Sequence, residues 1–299
     1  MQEETTANFY HEPVLLNESI DFLLSNKETS EAKIYVDCTL GGGGYTKKIL
    51  EQTKADTIVA AFDRDINAIE HCKKVLVEYS GRIIYCQNNF ADIKQVLADE
   101  NIKKVSGVVM DLGLSSYQLN NEEGFSYQKD TVLDMRADNR QEMTAKDVLN
   151  EYNEKELLKI FKDYGELKYS RQITRDIIVY RGKKSFETTF DLAELLKEKI
   201  PPRYVNKDLA KVFQALRIEV NGELDNLKKV LESAADILEP GARIVAISYH
   251  SLEDRLVKHF LRTGGIFKVL TKKPVLAGNT EISLNTRARS AKLRAAEKK

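Results

Sequence analysis

Asp37-Cys38-Thr39-Leu40-Gly41-Gly42-Gly43-Gly44-Tyr45 follows the short apolar run Ile34-Tyr35-Val36 and opens an amphipathic stretch that continues to Gln52. Four consecutive glycines let backbone approach a ligand closely and accept positive φ, at an entropic cost that a plain connection does not require. The stretch predicts a strand, a ligand-cradling turn and a helix, although a flexible strand-to-helix turn carries the same local signature. Outward from it, Thr57 to Asp63, Arg82 to Cys86 and Val105 to Asp111 join Ile34 to Cys38 as strands buried on both faces. Tyr45 to Gln52, Ile66 to Tyr79 and Ile93 to Asp99 read as the intervening helices. Strand, helix, strand repeated three times implies a parallel sheet with right-handed crossovers.

After Asp111 the strand signal stops and helical patterns follow: Thr144 to Tyr152, Glu154 to Tyr164, Lys168 to Tyr180, Phe190 to Lys199, Asp208 to Val220 and Leu224 to Leu238, broken by Pro201-Pro202. A strand returns at Ala242 to Ser248 behind the turn signal Pro240-Gly241, and a final strand pair is expected to involve Phe267 to Leu270. The chain thus reads as α/β, with a sheet domain over 1–121 and 213–299 and an inserted helical domain over 122–212.

Its 299 residues, 42% hydrophobic and 31% charged, are those of an ordinary globular protein. No apolar run reaches the ~18 residues of a membrane span, and residues 1–11 lack the basic and apolar regions of a secretory signal, so a cytoplasmic location is expected. Cys38, Cys72 and Cys86 form no CxxC pair and predict reduced, partly buried thiols. Charge is balanced overall, yet residues 262–299 hold ten basic side chains against two acidic ones, leaving −8 on the rest. That asymmetry hints at a polyanionic partner, while basic ends are commonly solvated tails.

The glycine turn fits neither G-x-G-x-x-G/A, since Thr46 or Lys47 stands where a small residue is needed, nor GxxxxGK[ST], so neither NAD nor an ATP phosphate cradle is supported. Asp63, 22 residues after Gly41, ends the second strand, where a carboxylate can accept two hydrogen bonds from a ribose diol or can cap the next helix. Phe90, after the third strand, offers a ring to an adenine or to the core. Asp111-Leu112-Gly113-Leu114-Ser115-Ser116 and Gln118 put a carboxylate and small polar groups at the carboxyl edge of the sheet, where open α/β sheets bind ligands. Gln214, Arg217 and Asn221 share one helical face, a pattern that usually marks a solvated face. Ser248-Tyr249-His250-Ser251-Leu252-Glu253-Asp254-Arg255 leaves the returning strand, with Ser251 and Asp254 spaced as a capping box. The four histidines show no ligand spacing, so no metal site is expected, and Gly113 to Tyr117 lacks the second glycine of a hydrolase elbow.

His11 to Leu16, the glycine turn, Asp111 to Ser116, Gly124-Phe125-Ser126, Asp134-Met135-Arg136, Phe213 to Leu224, Ser248 to Arg255 and Arg287-Ala288-Arg289-Ser290 occur together and in order. In this combination the chain resembles the S-adenosylmethionine-dependent ribosomal RNA small subunit methyltransferase H family, also called MraW, over nearly its whole length. The resemblance implies a Rossmann-like methyltransferase sheet with an inserted helical, substrate-recognising domain, and N4-methylation of a cytosine in the decoding region of 16S rRNA within the small ribosomal subunit. By motif match, S-adenosylmethionine contacts fall on Gly43, Gly44, Tyr45, Asp63, Phe90, Asp111 and Gln118. Tyr45 stands where a histidine is common and Tyr249 where a phenylalanine is common.

Arg136, Arg217, Asn221, Arg287 and Arg289 are candidates to contact substrate, and Asp111, Ser248 and His250 are candidates for the chemistry, with no proton acceptor assigned. The Asp/Asn-Pro-Pro-Tyr segment of many amino-methyltransferases is replaced here by Asp111-Leu112-Gly113-Leu114. No cysteine follows a proline after the fourth strand, which disfavours covalent attack on carbon 5 of a cytosine. Phosphate contacts are expected from Lys168, Arg171, Arg175, Arg181, Lys183 and Lys184 and from Arg287, Arg289, Lys292 and Arg294. A non-catalytic RNA-binding assembly factor that retains the fold is the alternative, and monomer and homodimer are both open.

Overall fold

The computed structural model describes residues 13–24, 33–113 and 124–299, and contacts divide the chain between 115 and 116 and between 223 and 224 into a discontinuous unit and the unit inserted in it. The expected boundary at 212/213 falls inside one unbroken helix, Val205–Asn221, because its apolar stripe runs on past Phe213 to Leu216, Ile218 and Val220. The helix stops at Gly222, which takes the left-handed conformation at φ 57°.

The discontinuous unit carries one seven-stranded sheet: β1 (Ile34–Asp37), β2 (Ile58–Asp63), β3 (Ile83–Gln87), β4 (Val105–Asp111), β5 (Leu238–Ser248), β6 (Phe267–Val269) and β7 (Lys292–Lys298), in the order β3-β2-β1-β4-β5-β7-β6. The first five are parallel, and β7 runs antiparallel between β5 and β6. Alternate residues feed two cores. Val36, Ala60, Phe62, Val108, Met110, Ile244 and Ala246 point to one face, while Tyr35, Val59, Ala61, Val109, Val245 and Ile247 point to the other. This period-2 split explains why the strands read as continuous apolar runs. Helices α1 (Leu16–Leu24), α2 (Gly44–Gln52) and α3 (Ile66–Val75) supply the second core, and α4 (Ile93–Asp99), with residues further along the chain, supplies the first.

The inserted unit is helical among its described residues: α5 (Ala145–Glu151), α6 (Glu154–Asp163), α7 (Ser170–Arg181), α8 (Thr189–Lys199) and α9 (Val205–Asn221). Thr144, Asn153 and Thr188 begin three of these with reciprocal capping boxes. Leu157, Ile160, Phe161, Ile177, Phe186, Leu192, Leu196, Val212 and Leu216 are buried in it. Two further helices return to the sheet unit, α10 (Glu223–Ile237) and α11 (Ser251–Arg262), and α12 (Asn279–Leu284) precedes β7.

The basic C-terminal run ends in the strand β7, which carries Lys292, Arg294 and Lys298 within the sheet and not on a solvated tail. Arg294 is only 6% exposed and is held by Asp254 at 2.6 and 3.2 Å. Glu297 pairs with Arg243 at 3.0 Å. Strand signal was weak there because alternate positions carry basic stems whose heads reach partners on neighbouring elements. Among the described residues no helix is long and apolar enough to cross a membrane.

Candidate functional site

The sheet order reverses direction at β1, between β2 and β4, and that switch point is where an open α/β sheet leaves a crevice at its carboxyl edge. Three carboxylates stand at the ends of these three strands: Asp37, Asp63 and Asp111.

Asp37 is fully buried and fastens the turn. Its Oδ2 accepts from the Thr46 hydroxyl at 2.8 Å and its Oδ1 from the Thr39 amide at 3.1 Å. Thr39 Oγ1 in turn accepts from the Asp111 amide at 2.8 Å, tying the turn to β4. Burial raises the Asp37 pKa to about 6, against the lowering effect of those two hydrogen bonds. The sequence alone does not show this role for Asp37; its signal is the Thr46 hydroxyl nine residues on, in the first turn of α2.

Asp63 accepts from the Gly41 amide at 2.9 Å and from the Asp65 amide at 2.9 Å, one bond on each oxygen, and burial raises its pKa. The helix cap is therefore Asp65, whose side chain accepts from the Asn67 amide, and Asp63 closes the glycine turn instead. A carboxylate has about four acceptor positions, so each Asp63 oxygen retains capacity for a further donor.

The glycines divide by cause. Gly43 begins α2 at φ 81°, and a Cβ there would lie 2.9 Å from Leu76 Cδ1 and 3.0 Å from Cys72 Sγ; one on Gly44 would lie 2.2 Å from Pro13 Cγ. Packing against α3 and Pro13 therefore requires both. At Gly41, φ is +48° and a Cβ would meet nothing nearer than 3.9 Å, so the turn leaves space there. Tyr45 is buried and its hydroxyl donates to the Val14 carbonyl, which leaves its ring and backbone, not its OH, for any ligand. Phe90 is half-buried against the core after β3, with the Arg64 guanidinium 5.8 Å from its ring centre. Gln118, like Ser115 and Ser116, lies outside the described residues.

At the end of β4, the Asp111 Oδ1 and the Tyr249 hydroxyl are buried without a well-formed hydrogen bond. The Arg287 guanidinium lies over the Tyr249 ring at 5.6 Å. Gly113 admits both: a Cβ there would meet Tyr249 Cε2 at 2.6 Å and an Arg287 nitrogen at 2.8 Å. Burial raises the Asp111 pKa to about 6, while the neighbouring Tyr249 and Arg287 pull it down. Burial, then Asp111, raises that of Tyr249. Sequence spacing could not reveal this cluster, since 138 and 176 residues separate its later members from Asp111.

Other candidates have structural partners. Ser248 is buried and its hydroxyl donates to the Lys292 carbonyl at 3.3 Å. His250, not Ser251, caps α11: its Nδ1 accepts from the Glu253 amide, and Glu253 Oε2 accepts from the Tyr249 and His250 amides at 2.8 and 3.3 Å. The expected partner Asp254 is instead taken up by Arg294. The α9 stripe is not simply solvated. Asn221, 3% exposed, accepts from the Ala137 amide and donates to the Met135 carbonyl, both at 2.8 Å, clamping Met135 at φ 63°. Arg217 pairs with Glu223 at 2.6 Å, and Arg136 with Asp134 at 2.7 Å. Arg289 is exposed.

A parallel sheet in this order with a single reversed strand, a glycine turn after β1 and acidic strand ends beside it define a Rossmann-like methyltransferase. The chain belongs to the MraW methylase family, whose match spans residues 8–299. It is 45% identical to the ribosomal RNA small subunit methyltransferase H of Carboxydothermus hydrogenoformans, over 97% of this chain and 98% of that one. Its identity to the proteins of the same name is 44% in Desulfotalea psychrophila, over 98% and 99% of the two chains, and 42% in Clostridioides difficile, over 97% and 99%.

Proposed function

We propose that the protein methylates the exocyclic N4 of a cytosine in the decoding region of 16S rRNA, in the small ribosomal subunit and in the cytoplasm, with S-adenosylmethionine as donor. The observation that carries the reading is the Asp111 carboxylate, buried at the switch point beside the Tyr249 hydroxyl, with an Oδ1 that makes no well-formed hydrogen bond among the described residues. A buried acceptor left unpaired is unfavourable and asks for a partner that is bound in function. The donor supplies an electrophilic methyl on a positively charged sulfur together with a ribose diol. Both features suit the residues present: Asp63 has acceptor capacity left for the diol, and Asp37 and Asp111 put negative charge at the neighbouring strand ends. The backbone amides of Gly44 and Tyr45, in the first turn of α2, face no helical acceptor and suit a carboxylate.

The cytosine amine is a weak nucleophile because its lone pair is delocalised into the ring. The protein's part is to hold it in line and to accept a hydrogen bond from it as nitrogen gains the methyl and gives up one proton. Asp111 is the acceptor this site offers: with a pKa near 6 it is ionised at neutral pH and still basic enough to take a proton. Tyr249 and Arg287 keep it in place. Arg287, held on that ring, is thereby a positioning residue. Labelled donor offered to small subunits from a strain lacking the gene is expected to give N4-methylcytidine as the single labelled nucleoside. Label in any other nucleoside overturns the target assignment, and donor binding without any transfer favours the assembly-factor alternative.

A further inference from the structure

Most of the inserted unit's aromatic side chains, and several of its basic ones, are engaged. Tyr152 and Tyr180 donate to Glu219 at 2.9 Å and Asp191 at 3.1 Å, Tyr127 packs on Phe213 at 5.6 Å, and Arg203 lies over Tyr204 at 4.6 Å. Arg181, expected to meet phosphate, donates to the Leu149 and Tyr152 carbonyls at 2.9 and 2.7 Å, and Lys184 pairs with Asp191 at 2.6 Å. One ring is different. Tyr169 is 60% exposed, and among the described residues neither its ring nor its hydroxyl has a partner. It occupies the position that begins α7, where Ser, Thr, Asp or Asn would cap the helix, yet it provides no side-chain cap. A residue that neither caps nor packs there is unexplained by the fold. Lys168, Arg171 and Arg175 beside it are exposed and unpaired among the described residues, and no acidic residue occurs from Leu167 to Arg175. Arg171 and Arg175, four apart, share one helix face roughly 6 Å apart along the axis.

We infer that Tyr169 is a stacking platform for an unpaired RNA base, with Lys168, Arg171 and Arg175 holding the adjoining phosphates. An exposed ring suits any base face, and cations without an ion pair among the described residues suit a backbone polyanion, which together describe single-stranded rather than duplex RNA. The inference rests on the reading of the protein as an RNA methyltransferase and names where that RNA is gripped.

The test is fluorescence anisotropy on the full chain, without donor, using a fluorescein-labelled 12-nucleotide single-stranded RNA of mixed sequence. Tyr169→Ala is expected to weaken binding about tenfold and Tyr169→Phe to leave it within about twofold. Arg171→Gln combined with Arg175→Gln is expected to lower the slope of log affinity against log salt by about 1.4. Thermal melts of each variant check that the fold is kept. Unchanged affinity in Tyr169→Ala, an unchanged salt slope in the double variant, or no binding of the single strand by the parent chain overturns the inference. None of these outcomes bears on methyl transfer, so the transferase reading stands or falls separately.

Discussion

Asp111 joins two properties at one strand end: an oxygen with no well-formed hydrogen bond among the described residues and a carboxyl that burial pushes up to about 6. A raised carboxyl pKa means that the folded state binds the proton more tightly than the unfolded chain. Its contribution therefore favours folding at pH 5 relative to pH 7.5, and that advantage fades as pH rises through 6. Asp111→Asn is expected to cut methyl transfer about a hundredfold or more. In thermal melts without donor it is expected to raise Tm by about 2–4 °C at pH 7.5, with the gain vanishing near pH 4. Arg287→Gln removes a cation that draws the Asp111 pKa down, so the acid limb of the rate profile is expected to move up by roughly one pH unit. Asp111 itself was legible from its place after an apolar run. Tyr249 and Arg287 were not legible as its companions, because no short-range pattern links chain positions that meet only when β5 and the segment before β7 come together.

The glycine turn was readable as a turn between strand and helix, and the reason for each glycine was not. Gly44→Ala forces a methyl group to 2.2 Å from the Pro13 ring and is expected to cost about 1–3 kcal/mol of stability by denaturant unfolding, with weakened donor binding. Gly81→Ala, where a Cβ meets nothing within 4 Å, is expected to leave both unchanged. The strand β7 is the element that the sequence disguised. Its Lys292, Arg294 and Lys298 look like a tail until Asp254, which pairs with the first two, and the Ala235 carbonyl, which accepts from the third, are seen beside the strand. Asp254→Ala leaves the buried Arg294 without its carboxylate and is expected to destabilise by about 3–5 kcal/mol. Breaking the exposed Lys94–Asp236 pair with Lys94→Ala is expected to change stability by less than about 1 kcal/mol.

At the scale of the molecule, the alternation of apolar strands with amphipathic helices made the α/β sheet legible, since the parallel strands feed cores on both faces and read as mainly apolar runs. The extent of the insertion was less so: α9 carries one apolar stripe across the expected boundary, and only its αL glycine at 222 marks an end. The candidate site drew on the same topology, since it sits where the strand order turns back, a property of the whole sheet that no segment shows by itself. What unites these levels is the site proposed for a sulfonium nucleoside at the ends of β1, β2 and β4. Isothermal titration of the full chain with S-adenosylmethionine at pH 7.5 is expected to show saturable binding with one donor per chain, weakened strongly by Asp63→Ala. Absence of saturable binding to the folded parent protein would contradict the account.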